Sequence, residues 1–281
     1  MKCLLPAALP ALLLVACASS SPAGQGAPAP ASTAADAAAL DAAIAGSWRS
    51  TKNVARDQYR HPRETLAFFG LRSDQTVIEI TPGGGWYAEI LAPYLAGHGH
   101  YVAALAIPSN PQGEAASDQQ SLVAKFAGDP AHFGHATIVE FDPKAPVFGP
   151  PASADAVLTF RNVHNWVMAG TQAVMFRGFF DVLKPGGVLG VTDHRAKAGA
   201  ATDGQQGYVT EQQVIDYATA AGFVIDGRSN INANPADRKD YPKGVWTLPP
   251  TLELGDTDKA KYLAIGESDR MTLRFRKPHR E

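Results

Sequence analysis

From Ser47 onward the chain alternates short apolar runs with segments of helical spacing, and that rhythm admits few architectures. Thr76–Ile80 is rich in β-branched residues and has the length of a buried strand. Gly83, Gly84 and Gly85 follow, and Trp86–Leu95 then carries apolar residues at helical spacing. Tyr101–Leu105, Ala136–Glu140, Ala156–Phe160, Val188–Thr192, Phe223–Ile225 and Met271–Phe275 read as the remaining strands. Between them, Gln119–Phe126, Thr171–Leu183 and Thr210–Ala221 read as helices. Thr210 is placed to cap the last of these, and Gly222 stands where a helix C-terminal glycine is favoured. Nearly continuous apolar strands need cover on both faces, so the expected fold is α/β, a mainly parallel sheet between helices. The 281 residues leave room for one such domain with a sizeable core. A hydrophobic content of 45% against 19% charged residues is that of a globular body.

The N-terminal part is different in kind. Lys2 precedes the apolar run Leu4–Val15, which is shorter than the roughly 20 residues that span a bilayer and reads as a secretory signal. Leu14-Val15-Ala16-Cys17 resembles a bacterial lipobox, so residues 1–17 are expected to be a lipoprotein signal peptide and Cys17 the lipidated residue. The alternative is an ordinary signal peptide with an incidental cysteine. Cys3 is the only other cysteine, and the exported domain would then carry no disulfide. Several acyl chains on such a cysteine make membrane attachment stable. Ala18 after Cys17 resembles the arrangement sorted to the outer membrane, so the expected location is the periplasmic side of a bacterial membrane. Residues 18–46, rich in Ala, Pro and Ser, read as a tether that includes a helical stretch at Asp36–Ile44. The domain is expected over 47–281. Residues 231–268 interrupt its rhythm before the last strand, as a lid over the sheet edge or as an insertion that only covers core. A formal net charge of -2, with no basic run beyond Arg274–Lys277, argues against a nucleic-acid partner. The expected partner is a small molecule, and the oligomeric state is not legible.

In an open α/β sheet, ligands bind beyond the carboxyl ends of the strands, near the switch in strand order. The first strand ends there in Glu79-Ile80, followed by Thr81-Pro82-Gly83-Gly84-Gly85. Glycines let backbone approach a ligand, and the amides at the start of the next helix favour an anionic group. His164 and His194 follow the fourth and fifth strands, which puts both on the same edge. A histidine there can serve as a general base, bind a metal, or hold loop backbone. With Asp193 as the one neighbouring acid, the set is too small for a metal site, and none is expected. Arg161 and Arg195 could hold an acidic substrate or pair with Asp142 or Asp237. Trp86 and Trp166 read as packing residues.

Val77-Ile-Glu-Ile-Thr-Pro-Gly-Gly-Gly-Trp-Tyr87 resembles the first motif of class I S-adenosylmethionine (SAM) methyltransferases. Asp155–Phe160 and Leu183-Lys-Pro-Gly-Gly-Val-Leu189 resemble the fourth strand and the turn into the fifth strand of that superfamily. More narrowly, Arg161-Asn-Val-His-Asn-Trp166, Asp193-His-Arg-Ala196, Asn234-Pro-Ala-Asp237 and Asp269–Pro278 resemble a group of exported bacterial methyltransferase-like lipoproteins. The resemblance implies a Rossmann-like, seven-stranded sheet with helices on both faces, and SAM as cofactor. It implies that Glu79, Thr81, Gly83, Gly84, Gly85 and Asp142 bind the cofactor. It leaves His164 and His194 as catalytic candidates. Two positions depart from the pattern. Thr81 occupies the place of the first loop glycine, and no carboxylate stands near Ala106, where an acid usually holds the ribose hydroxyls. The expected function is methyl transfer to a small molecule. The alternative is an exported binding or scaffold protein that has kept the fold without the activity. A hydrolase using the two histidines ranks behind both, because no serine or cysteine nucleophile sits in a suitable turn.

Overall fold

The computed structural model describes Met1 and residues 33–279, so the expected signal peptide, Cys17 and the start of the tether lie outside the described residues. The chain enters through α1 (Ala34–Ile44), two single turns α2 (Thr51–Val54) and α3 (Asp57–Arg60), and α4 (Pro62–Phe69). There follow β1 (Thr76–Ile80), α5 (Ala88–Leu95), β2 (His100–Ala106), α6 (Glu114–Gly128), α7 (Pro130–Phe133) and β3 (Thr137–Phe141). The second half comprises β4 (Ala154–Phe160), α8 (Val163–Ala169), α9 (Gln172–Val182), β5 (Leu183–His194), α10 (Glu211–Ala220), β6 (Val224–Ser229), α11 (Lys259–Ile265) and β7 (Arg270–Arg276).

The seven strands form one sheet in the order β3-β2-β1-β4-β5-β7-β6. β1 is parallel to β2 and β4, and the β2–β3 and β4–β5 pairs are parallel too. β7 runs antiparallel between β5 and β6. Alternate strand residues feed two cores, as the two-residue period of a strand requires. Val77, Tyr101, Ala103, Ala156 and Leu158 join the core under α1, α4, α5, α6 and α7. Ile78, Ile80, Val102, Ala104, Val157 and Leu189 join the core under α8, α9 and α10. The mainly parallel, two-sided sheet is therefore the architecture that the strand pattern implies.

Among the described residues, packing against the domain already begins at Thr33, ahead of residue 47. Asp36 and Thr33 close a capping box, and the other Asp36 oxygen accepts from Ser73 N and Oγ at 2.9 and 2.8 Å. Leu40 and Ala43 are buried in the same core as Leu91 and Leu95. Alanine-rich sequence hides such docking because its small apolar side chains give little contrast between the two faces of a helix. The segment after α1 is also tied to the body. Trp48 Nε1 donates to the Glu89 carbonyl at 2.8 Å, and the buried Glu89 carboxylate accepts from Ser50 N and pairs with Lys125. Helix α6 begins at Glu114, ahead of the expected start at Gln119.

Strand order reverses between β1 and β4, so their carboxyl ends open a crevice. Asn162, just past β4, donates through Nδ2 to the Ile80 carbonyl at 2.9 Å and latches the two strand ends together. Residues 231–268 cover this end of the molecule with a single 3-10 turn at Gly244–Thr247 and with α11. They hold a small core of their own, formed by Tyr241, Leu248 and Tyr262.

Candidate functional site

Thr81 follows β1 with φ 49, and Gly83 and Gly85 have φ 57 and 83. A β-branched residue in this left-handed region carries a strain of about 1–3 kcal/mol. Thr81 N donates to the Ala104 carbonyl at 2.8 Å and pins it there, while its buried hydroxyl has no partner. The glycines differ in purpose. A Cβ on Gly85 would fall 2.6 Å from Leu122 Cδ1, so this glycine lets α6 pack on the loop. A Cβ on Gly83 or Gly84 would meet only the Asp118 carboxylate, at 3.8 Å, and these two border open space. That space is a cavity of about 890 Å³, a size common for small-molecule sites. Glu79 and Thr81 line it along with Gly83 and Gly84.

Glu79 is buried on β1, and its Oε2 accepts from the Tyr101 hydroxyl at 2.7 Å. Burial pushes its carboxyl up to about 7, against the pull of Tyr101 and Arg60. Asp142 is not brought into the cavity. It is exposed just past β3, where its Oδ1 accepts from Lys144 N at 2.8 Å in a local turn. The Ala106 carbonyl takes the Gln119 side-chain amide at 2.7 Å. Carboxylates reach the cavity by another route: Glu114 and Asp118, one turn apart on α6, both line it. A helix that starts at Gln119 leaves both acids in the preceding loop and hides their shared face.

His164 and His194 do meet, with ring centroids 5.2 Å apart, and both are buried. His164 Nδ1 lies 2.9 Å from Asp193 Oδ1. A carboxylate only accepts, so Nδ1 carries the hydrogen, and in the neutral ring Nε2 is left with the lone pair. Asp193 also accepts from the backbone amides of Val163, His164 and His194 at 2.6, 3.3 and 2.7 Å. His194 Nδ1 is 2.5 Å from Ser268 Oγ, and burial, aided by nearby cationic groups, holds this ring well below the ordinary histidine range. Ligand atoms of His164, Asp193 and His194 lie within 4.8 Å of one another, close enough for a metal ion by distance alone. The Asp193 carboxylate, however, is already fully engaged, which suits an orienting group better than a ligand. Both histidines line a second chamber of about 180 Å³, which is capped by Trp246, Pro249, Pro250 and Thr251 from the 231–268 segment.

Arginines crowd the larger cavity, and one of them reaches the second chamber. Arg161 has φ 63 immediately past β4, donates its backbone N to the Thr192 carbonyl at 2.7 Å, and lines both chambers. Burial and the neighbouring guanidiniums push it down to about 10. Arg56 and Arg60, from the segment between α2 and α4, line the larger cavity. Arg195 is outside the site. It forms a two-pronged pair with Asp269 at 2.8 and 3.0 Å and reaches Glu211, rather than Asp142 or Asp237. Trp166 lies in the core, whereas Trp86 packs under Arg60 and also lines the cavity.

No protein-family model matches the chain, and neither does any curated protein. Solved structures do. A SAM-dependent methyltransferase from Aquifex aeolicus superposes with a TM-score of 0.53 at 14% identity, over 79% of this chain and 93% of its own. The [4+2]-cyclase SpnF gives 0.54 at 16% identity, over 89% of this chain and 98% of its own. A SAM-dependent methyltransferase from Methanosarcina mazei gives 0.50 at 15%, over 75% and 95%. The fold is the class I methyltransferase fold.

In this methyltransferase fold, sequence reasoning missed Arg56, Arg60, Arg270 and Glu267, which surround the crevice. Arg56 and Arg60 stand one helical turn apart before Pro62, a spacing that signals a shared face. Arg270 opens a strand that also carries Arg274 and Arg276, and its burial calls for a buried partner. Glu79 gives the site a measurable pH signature. Its folded pKa lies above the unfolded one, so its contribution to stability is fully present below about 4.5 and is lost as pH rises through about 7. Glu79→Gln should therefore gain stability on the parent protein between pH 5 and pH 8, by up to roughly 3 kcal/mol. Urea denaturation of both proteins at the two pH values checks this, and parallel pH profiles would sink the assignment.

Proposed function

We propose that this protein is a SAM-dependent methyltransferase acting on a small molecule. The observation that carries the reading is the crevice between β1 and β4, where open backbone at Gly83 and Gly84 faces the Asp118 carboxylate. Glu114 and Asp118 are suited to hold hydroxyl or amine groups of the cofactor, in place of the acid missing at Ala106. The unpartnered hydroxyl of Thr81 offers a further hydrogen bond. Bound along this loop, SAM supplies an electrophilic methyl group on a sulfonium. The chain's own residues do the rest. Asp193 fixes the His164 ring so that Nε2 can take a proton from an acceptor in the second chamber. The neutral His194 beside it adds no competing charge. The 231–268 segment caps that chamber and limits water.

A second reading is a binding or scaffold protein that keeps the fold without transfer. It is favoured by the missing acid at the end of β2, and by a solved structure of this fold whose protein is a cyclase. Calorimetry with SAM and S-adenosylhomocysteine separates the two. Micromolar affinity supports the transferase, and no binding at millimolar ligand supports the alternative. Gly84→Leu should weaken the cofactor by roughly 100-fold or more, since its side chain fills the space in front of the loop. Unchanged affinity would remove the loop from the site. His164→Ala should leave cofactor affinity within about twofold while the turnover of an accepted substrate falls by roughly 10²–10⁴. Full turnover would end the base role.

We further propose that the protein is exported and anchored by lipid at Cys17, on the periplasmic side of a bacterial membrane. The lipobox-like Leu14–Cys17 supports this, as does the apolar run before it. Among the described residues no helix is long and apolar enough to cross a membrane. Cys17→Ser should move the protein from the membrane fraction to the soluble one, and unchanged fractionation would refute the anchor.

A further inference from the structure

Four guanidiniums converge on the crevice around Glu267, with Glu79 near Arg60 and Asp193 near Arg161. Glu267 receives Arg56 Nε at 2.5 Å and Arg270 Nη1 at 3.0 Å, and Arg60 Nε stands 3.7 Å away. Arg270 spends Nη2 on the Tyr59 carbonyl at 2.6 Å. Arg161 has no ion pair among the described residues, and the other arginines are its nearest cationic neighbours. The surplus positive charge is matched by missing hydrogen bonds. Arg60 Nε and Nη2, Arg161 Nε, Arg56 Nη2 and Arg270 Nε are all buried without a partner. A buried charged donor left unpaired costs more than a neutral one. Arg60 is only 4% exposed, and its guanidinium stacks 4.7 Å over the Trp86 ring. That stacking holds its Nε–Nη2 edge, the edge that fits an oxyanion bidentately.

We propose that this cluster is the binding site for an oxyanion, and that the methyl acceptor is a small acid whose carboxylate or phosphate docks on Arg60 and Arg161. The position of Arg161 argues for the acceptor. It lines both chambers, so an anion on it sits between the glycine loop and His164. The small volume of the second chamber favours a small acid over a macromolecule. A cation at His164, Asp193 and His194 is disfavoured by the same arginines. That the anion is the acceptor rests on the transferase reading, whereas the anion site itself does not. The same oxyanion chemistry could come from the carboxylate of SAM, and the test separates the two sources.

Inorganic phosphate and malonate are titrated into the full-chain protein by calorimetry, with and without saturating S-adenosylhomocysteine. The expected result is a Kd of about 1 mM or tighter for at least one probe, retained in the presence of S-adenosylhomocysteine. Arg161→Gln and Arg60→Gln should each weaken that probe by about tenfold or more and leave S-adenosylhomocysteine within about twofold. Arg161→Gln should also keep or raise the melting temperature, because it removes an uncompensated charge. A merely structural arginine would lower it. Should Arg60→Gln fail to fold, Arg161→Gln decides alone, since its side chain is partly open to the cavity. The proposal is overturned if neither probe binds by about 50 mM. It is equally overturned if probe and S-adenosylhomocysteine exclude each other and the variants lose both, since the arginines would then hold the cofactor's carboxylate. Anion binding without any S-adenosylhomocysteine binding would leave the site standing and overturn the transferase reading instead.

Discussion

The carboxylate of Asp193 accepts four hydrogen bonds out of contact with solvent, and the ligand edge of the sheet is arranged around them. Two come from backbone amides at the start of α8, where the helix has unfilled donors and its dipole favours a negative charge. One comes from His194 N and ties the acid to its own strand end. The fourth orients His164. Burying an isolated carboxylate is costly, and this pattern offsets that cost by meeting both oxygens with N–H groups. The tip of β5 thereby fixes where the β4 loop goes, which fixes Arg161 and the latch from Asn162 to Ile80. His164, His194 and Arg161 are located through this one side chain or through the loop it holds.

The arginine cluster follows a different logic. A stable core pairs its charges, as Arg49 does with Asp57, at 2.7 Å through both ends of the guanidinium. Arg195 does the same with Asp269. Around the crevice the pairing stops short, and partnerless N–H groups accumulate where the backbone is strained as well. Thr81 and Arg161 both take positive φ, one past β1 and one past β4, on the two sides of the strand-order switch. Strain and unmet donors in the same few cubic nanometres cost stability, and proteins keep such features where a ligand completes them.

The sheet was legible because strand periodicity and glycine placement are local properties. Val77, Ile78 and Ile80 announce a two-sided strand by their spacing alone, and Gly83–Gly85 announce the loop. His164 and His194 could be placed together because both follow adjacent strands. Three things were not legible. The docking of α1 depends on Asp36 reaching Ser73, a contact between residues far apart in sequence. The cavity acids Glu114 and Asp118 depend on where α6 starts, and boundaries are the weakest part of a periodicity argument. The arginine wall draws on three separate segments: Arg56 with Arg60, Arg161 and Arg270 meet only in the folded chain.

That last point bears on how this fold is specialised. The sheet contributes strand ends and a crevice, which many proteins of this fold share. Specificity has to come from what is laid over the crevice. Here the overlay is built from the N-terminal segment, which supplies Arg56 and Arg60, and the 231–268 segment with Glu267 behind it. Both are anchored by polar contacts rather than by strand pairing, through Asn232 to Thr65 and Thr272, and through Asn234 to the carbonyls of Ile265 and Glu267. Asn232 bridges α4 and β7, beside the bonds from Arg270 to the Tyr59 carbonyl and from Arg274 to the Phe68 carbonyl. A change in the 231–268 segment would thus alter the lining of the second chamber, whereas a change in the N-terminal segment would alter the charge of the larger cavity that the glycine loop shares. The two chambers join at Arg161, Asn165, Pro250 and Thr251, which line both, and of these only Arg161 carries a charge.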